Sequence, residues 1–184
     1  MDANAAWTAP HAIEHIREMQ RYKISAVEQP VAKEDFAGMK TVSAAVDLPI
    51  IADESLCNED DAQRLIDYGA CQIFNLRLSK CGGLGAAARI RRLAQQAGVL
   101  CQLGCHVGET SILSAAGRHF ALCYPDLVYV EGSFSWFLLN LDPVRQSVAF
   151  DAAGLADELP GPGLGIEVVD RSLDELAVSH WEMA

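Results

Sequence analysis

The sequence predicts an α/β fold, a partial (β/α) barrel of the TIM type with about six βα units and parallel strands, on the strength of three observations. Short apolar runs at 24–27, 49–52, 71–78, 99–103 and 127–130 alternate with segments that carry Ala, Leu, Arg and Glu at helical spacing. The runs lack a clean alternation of apolar and polar residues, as strands do when both faces of a parallel sheet are covered. Ionisable groups stand at the C-terminal end of each strand, one set per unit: Asp2, Glu28, Asp53, Arg77 with Lys80, His106 and Glu131 recur roughly every 25 residues. In a parallel barrel those ends converge on one face, where the catalytic residues of that architecture gather. An open doubly wound sheet binds ligands at one switch point and needs no polar group on every strand.

The elements follow in order. Thr8 or Ala9 ahead of Pro10 marks the start of a first helix, because proline is tolerated in a first turn that has no use for its missing N–H. Asn58, followed by Glu59, Asp60 and Asp61, opens the helix after the 49–52 run, and Gly69 closes it. Gly98 closes the helix that follows the 71–78 run. The Gly82-Gly83-Leu84-Gly85 stretch lacks the full spacing of a dinucleotide loop and reads as a tight turn from strand to helix. After Gly132 the pattern weakens. The Leu159-Pro160-Gly161-Pro162-Gly163-Leu164-Gly165 stretch should wrap the surface, with a short polar helix near 172–176.

Composition narrows the class of partner. The 184 residues are 51% apolar and 21% charged, which suits a folded core rather than a disordered chain. Lys and Arg total 14 against 25 Asp and Glu, a net charge of −11, so nonspecific binding to nucleic acid or to anionic membrane is disfavoured and a metal cation fits better. The apolar runs fall far short of the ~20 residues that span a bilayer, and no secretory leader is legible, so a cytoplasmic protein is expected. The six cysteines (Cys57, Cys71, Cys81, Cys101, Cys105, Cys123) read as reduced, buried thiols. Cys101, Cys105 and His106 raise the thought of zinc, but no CxxC pair or second cluster supports it.

Carboxylates on three successive strand ends, Asp2, Glu28 and Asp53, would raise one another's pKa in a partly dry pocket unless a cation neutralised them. An all-oxygen ligand set suits Mg²⁺, with Mn²⁺ the other option, rather than zinc.

The residues that carry a family resemblance are Asp2-Ala3-Asn4 with Trp7, Val27-Glu28-Gln29-Pro30, Ala52-Asp53-Glu54-Ser55, Asn75-Leu76-Arg77-Leu78-Ser79-Lys80-Cys81-Gly82-Gly83, and the Pro160 to Gly165 stretch. In this order and spacing the chain resembles the C-terminal barrel domain of the enolase superfamily, in its muconate-lactonizing and mandelate-racemase-like branch. The resemblance implies Mg²⁺ held by Asp2, Glu28 and Asp53, with Glu54 and Asn4 supporting them. It implies removal of a proton α to a carboxylate through an enediolate, in a racemase, epimerase, dehydratase or cycloisomerase reaction on a small-molecule carboxylate.

Two departures from the family pattern stand out. Arg77 occupies the position of the branch's catalytic lysine; arginine stays protonated and is a poor base, so Arg77 reads as a group for the substrate carboxylate or for electrostatics. Lys80 becomes a base only if burial lowers its pKa. His106 is the better acid/base candidate, since an imidazole's unperturbed pKa lies near 6.5. Glu109 is placed to cap the next helix or to orient His106, and Glu131 matches a region that contacts substrate in relatives. The second departure is length: a closed barrel needs about 250 residues. Residues 1–150 are therefore expected to form a truncated barrel with strands three to eight and 151–184 a tail packing on it, as a fragment of a longer enzyme, itself inactive in one reading. Exposed strand edges in such a fragment predict a homo-oligomer. The competing reading is a non-catalytic metal-binding barrel relic or assembly module.

Overall fold

The computed structural model describes residues 1–132 and 134–178, which divide into two compact units: Met1–Gly104 with Asp126–Val130, and the remaining described residues. The first unit holds the sheet. Strands β1 (Val27–Glu28), β2 (Ile50–Ala52), β3 (Ile73–Arg77) and β4 (Leu100–Gly104) are all parallel and lie in sequence order. Helix α1 (Ala9–Met19) precedes β1; α2 (Phe36–Ala45) crosses from β1 to β2 and α3 (Glu59–Tyr68) from β2 to β3. The short α4 (Leu78–Cys81) and α5 (Gly83–Ala97) link β3 to β4. Helices α1 and α2, α2 and α3, and α3 and α5 pack as neighbours, and α5 covers β3 and β4.

Four strands among the described residues replace the expected six. The outer two positions are reduced to isolated parallel bridges, Asp2 to Glu28 and Trp7 to Val31 on one side and Leu103 to Val130 on the other. Asn4 and Ala5 take φ of 46° and 58°, which breaks a regular strand after Asp2, yet the N–H groups of Ala3, Ala5 and Trp7 still donate to the carbonyls of Glu28, Gln29 and Pro30 at 3.0, 2.8 and 3.1 Å. At the other side Val128 N–H donates to the Cys101 carbonyl at 2.9 Å and Leu103 N–H to that of Tyr129 at 3.0 Å, with no longer ladder than the Val130 bridge. The 24–27 run becomes strand only at Val27, after a left-handed Lys23.

Side chains alternate between the two faces of the sheet. The register puts Ile51 beside both Glu28 and Ile73, and Asn75 beside Gln102, so Glu28, Ile51, Ile73, Asn75, Arg77 and Gln102 share one face. Val27, Ile50, Phe74, Leu76 and Leu103, all buried, occupy the face toward the helices with Leu65, Ile90 and Ala94 from α3 and α5. The continuous burial of β2 and most of β3 confirms that both faces are covered.

The second unit carries α6 (Ser111–Cys123), α7 (Ser135–Leu138) and α8 (Asp170–Leu176), the last being the short polar helix expected there. Arg118 on α6 donates to the Asp157 carbonyl at 3.0 Å, and the His119 ring lies 3.0 Å from that of Leu164, so α6 fastens part of the turn-rich stretch. Among the described residues no helix is long and apolar enough to cross a membrane.

Candidate active site

The polar face of the sheet is built from strand interiors that read as apolar. Glu28 is buried, and each of its carboxylate oxygens accepts from a carboxamide on a strand further along the sheet, Asn75 on β3 and Gln102 on β4. Asn75 Nδ2 donates to Oε1 at 2.6 Å and Gln102 Nε2 to Oε2 at 3.4 Å. Arg77 Nη2 lies 3.6 Å from the same Oε1. Asp53, fully buried, follows the end of β2. Lys80 Nζ donates to Asp53 Oδ1 at 2.5 Å, to the Asp53 carbonyl at 2.5 Å and to the Asn75 carbonyl at 3.2 Å, which uses all three of its N–H groups. Arg77 Nη2 pairs with Asp53 Oδ2 as an ion contact without the alignment of a hydrogen bond. Two buried carboxylates thus face two cations from β3 and α4, the pairing that buried charge requires.

Gln29 ties the two acidic strand ends together. It is fully buried and its backbone takes φ of 33°, rare for a residue other than glycine. Its Oε1 accepts from the N–H groups of Asp53 at 3.0 Å and Ser55 at 3.2 Å; its Nε2 donates to the Val31 carbonyl at 2.9 Å and Ser55 Oγ at 2.8 Å. Glu54 Oε2 is buried without a hydrogen-bond partner, and burial first, then the charges of Asp53 and Asp2, push its carboxyl above the ordinary value.

The expected trio of Asp2, Glu28 and Asp53 is brought to one edge of the sheet by the backbone but is not gathered as a ready cage. Met1 and Ala3 hydrogen-bond to Glu28 at 2.8 and 3.0 Å, which fixes Asp2 beside Glu28. The exposed Asp2 side chain turns to its own loop, where Oδ1 accepts from the Asn4 N–H at 2.8 Å. Asn4 therefore supports Asp2 through its backbone. Among the described residues no three His, Cys, Asp or Glu side chains stand close enough to share an ion as arranged.

In the second unit His106 is exposed. Glu109 Oε2 accepts from the His106 backbone N–H at 2.9 Å and its Oε1 from Ser114 Oγ at 2.7 Å, so Glu109 fastens the chain entering α6 rather than the imidazole ring. Glu131 Oε2 accepts from the Cys105 N–H at 3.4 Å. The expectation of uniformly buried thiols is corrected: Cys71, Cys81 and Cys101 are buried, whereas Cys57 and Cys123 are exposed and Cys105 is intermediate. Sequence reading missed Gln29, Asn75 and Gln102 as functional residues. The available signal was a carboxamide inside an apolar strand run, which must find partners once buried.

The chain matches the family described as enolase C-terminal domain-like over residues 1–172. The chain belongs to the enolase superfamily. It is 36% identical over 166 residues to a hydrophobic dipeptide epimerase of Enterococcus faecalis, covering 90% of this chain and 47% of that protein. Among solved structures, an N-succinyl Arg/Lys racemase of Bacillus cereus superposes with a TM-score of 0.87 at 30% identity, covering 97% of this chain and 47% of that one. A dipeptide epimerase of Cytophaga hutchinsonii, solved with Mg and the dipeptide D-Ala-L-Val, superposes with a TM-score of 0.84 at 35% identity, covering 91% and 45%. These place the chain in the mandelate-racemase and muconate-lactonizing branch of the superfamily. The chain spans about half the length of the curated relatives it matches. The superfamily's metal fits the donors here in kind: they are carboxylate oxygens, and Glu54 Oε2 is buried without a hydrogen-bond partner, as suits a hard divalent cation, whereas Asp53 Oδ2 is met by the Arg77 ion contact.

Proposed function

We propose that this chain carries the metal-binding part of an enzyme that removes the proton α to a carboxylate with the help of Mg²⁺, in an epimerase or racemase reaction. The observation that carries this is the pair of buried carboxylates, Glu28 and Asp53, on adjacent strand ends beside Asp2 in a chain of this superfamily. Asp2, Glu28 and Asp53 would hold the ion, with Mn²⁺ accepted by the same oxygen donors. When bound, the ion supplies positive charge against the negative charge that develops on the substrate carboxylate as the proton leaves.

The chain's own residues do the rest. Arg77 is permanently charged and partly open to solvent, so it holds an anionic substrate group and takes no proton. Lys80, with every N–H donated, fixes Asp53 and becomes a base only on release from it. His106 is assigned proton transfer by the acid/base chemistry of an imidazole near a strand end, and Glu131 substrate contact by the family resemblance. The relatives' names support a carboxylate whose α-carbon bears an acylated nitrogen, as in a dipeptide or an N-succinyl amino acid. The bridges at Asp2 and Val130 extend the sheet by one position on each side. That supports a partial (β/α) barrel of six βα units over 1–150, with 151–184 as its tail.

A second reading, a non-catalytic metal-binding or assembly module, is favoured by one observation: Arg77 and Lys80 already neutralise Asp53. Calorimetric titration with Mg²⁺, joined to NMR of α-proton exchange in N-acylated amino acids in deuterated water, separates the two. Mg²⁺ binding that weakens at least tenfold in Glu28→Gln, together with Mg²⁺-dependent exchange, is expected. Unchanged affinity in Glu28→Gln overturns the three-carboxylate site, and Mg²⁺ binding without exchange by the full-length parent selects the module.

A further inference from the structure

We propose that Asn75 is a positioning residue for Glu28 and that residue 104 is glycine in order to leave Asn75 room; this rests on the metal-site reading above. Asn75 is fully buried, and its Nδ2 donates to Glu28 Oε1 at 2.6 Å. Its Oδ1 is buried with no hydrogen-bond partner. Turning the amide over would satisfy nothing better, because it would set the amide oxygen against the carboxylate and lose the donor. The residue therefore keeps an orphan acceptor in exchange for one short charge-assisted hydrogen bond to Glu28, which fixes the rotamer of that carboxylate.

Gly104 carries the same message from β4. It is the register partner of Arg77, and it is not among the glycines with positive φ, so backbone conformation does not call for glycine there. Space does. A Cβ at 104 would lie 2.1 Å from Asn75 Oδ1 and 2.8 Å from both Cγ and Nδ2. Nearly the whole amide would have to leave its position, and the hydrogen bond to Glu28 with it. Gly104 thus acts on Glu28 through Asn75.

The test is Mn²⁺ affinity, followed by electron paramagnetic resonance, alongside thermal melting of each variant. Asn75→Leu, which keeps bulk and removes the donor, and Gly104→Ala are each expected to weaken Mn²⁺ binding about tenfold to a hundredfold. The Asn75→Leu/Gly104→Ala double variant is expected to be no weaker than the weaker single one, since both act through one hydrogen bond. Where Asn75→Leu fails to melt cooperatively, Asn75→Ser carries the same expectation. Cooperatively folded variants that keep wild-type affinity, or losses that add in the double variant, overturn the inference. A wild-type chain whose Mn²⁺ binding is absent or indifferent to Glu28→Gln overturns the metal-site reading instead, so the two failures are distinct.

Discussion

At Gln29 the backbone adopts φ of 33° and the side chain makes four hydrogen bonds, two accepted and two donated, which exhausts the capacity of a carboxamide. Gln29→Leu would leave the Asp53 and Ser55 N–H groups without an acceptor in a buried place. At about 1–3 kcal/mol for each unsatisfied group, urea unfolding should show a loss of about 2–6 kcal/mol. The thiols give a second prediction at this scale. Burial pushes the thiols of Cys71 and Cys101 up to about 12 from an ordinary value of 9.0. A raised folded pKa means that the neutral form's stabilisation is full below pH 9 and lost as pH rises from there toward 12. Denaturant stability should therefore fall above pH 9, and less steeply in Cys71→Ala/Cys101→Ala. Cys57 and Cys123, both exposed, should react first with a thiol reagent at pH 8. Sequence spacing gave no sign of which cysteines would be buried, because burial is a property of neighbours distant in the chain.

Helix α3 was legible at both ends from local chemistry alone. Asn58 Oδ1 accepts from the Asp61 N–H at 2.9 Å, the first turn holds Glu59, Asp60 and Asp61, and Gly69 closes the helix at φ of 60°. Asn58→Ala should cost about 1 kcal/mol in equilibrium unfolding, and Asn58→Asp should retain most of that stability. The cap of α2 was not legible: Asp35 accepts from the Gly38 N–H at 2.8 Å, yet no strong apolar periodicity flags the segment. Thr8, expected to start α1, makes no side-chain cap, although Pro10 lies in the first turn. The 71–78 run was read as one strand, but β3 ends at Arg77 and Leu78 opens α4, which carries Lys80 back to Asp53. A run of apolar residues cannot show that break, since Leu78 is buried in either conformation.

For the whole molecule the edges of the sheet decide the expectation. The outer edge of β1 is already met by the 1–7 segment, with the Asp2–Glu28 bridge and the Trp7–Val31 bridge just beyond β1, and that of β4 by 128–130; among the described residues no strand ladder is laid on the outer sides of these two short segments, which therefore offer pairing to another chain. Light scattering coupled to size exclusion should find a homo-oligomer, and a monomer at every concentration would refute this. The sequence by itself determined the βα repeat, the parallel sense of the sheet and the place of Glu28, Asp53 and Arg77 at strand ends, because these follow from periodicity and from local capping along a single chain. Only the tertiary structure decided that Lys80 and Arg77 close on Asp53, that Asp2 turns to Asn4, that Asn75 and Gln102 hold the Glu28 carboxylate, and that Gln29 holds the backbone at Asp53 and Ser55. Each of those pairings joins groups whose meeting depends on strand register and on the charge balance of a buried face, neither of which is written in the order of residues.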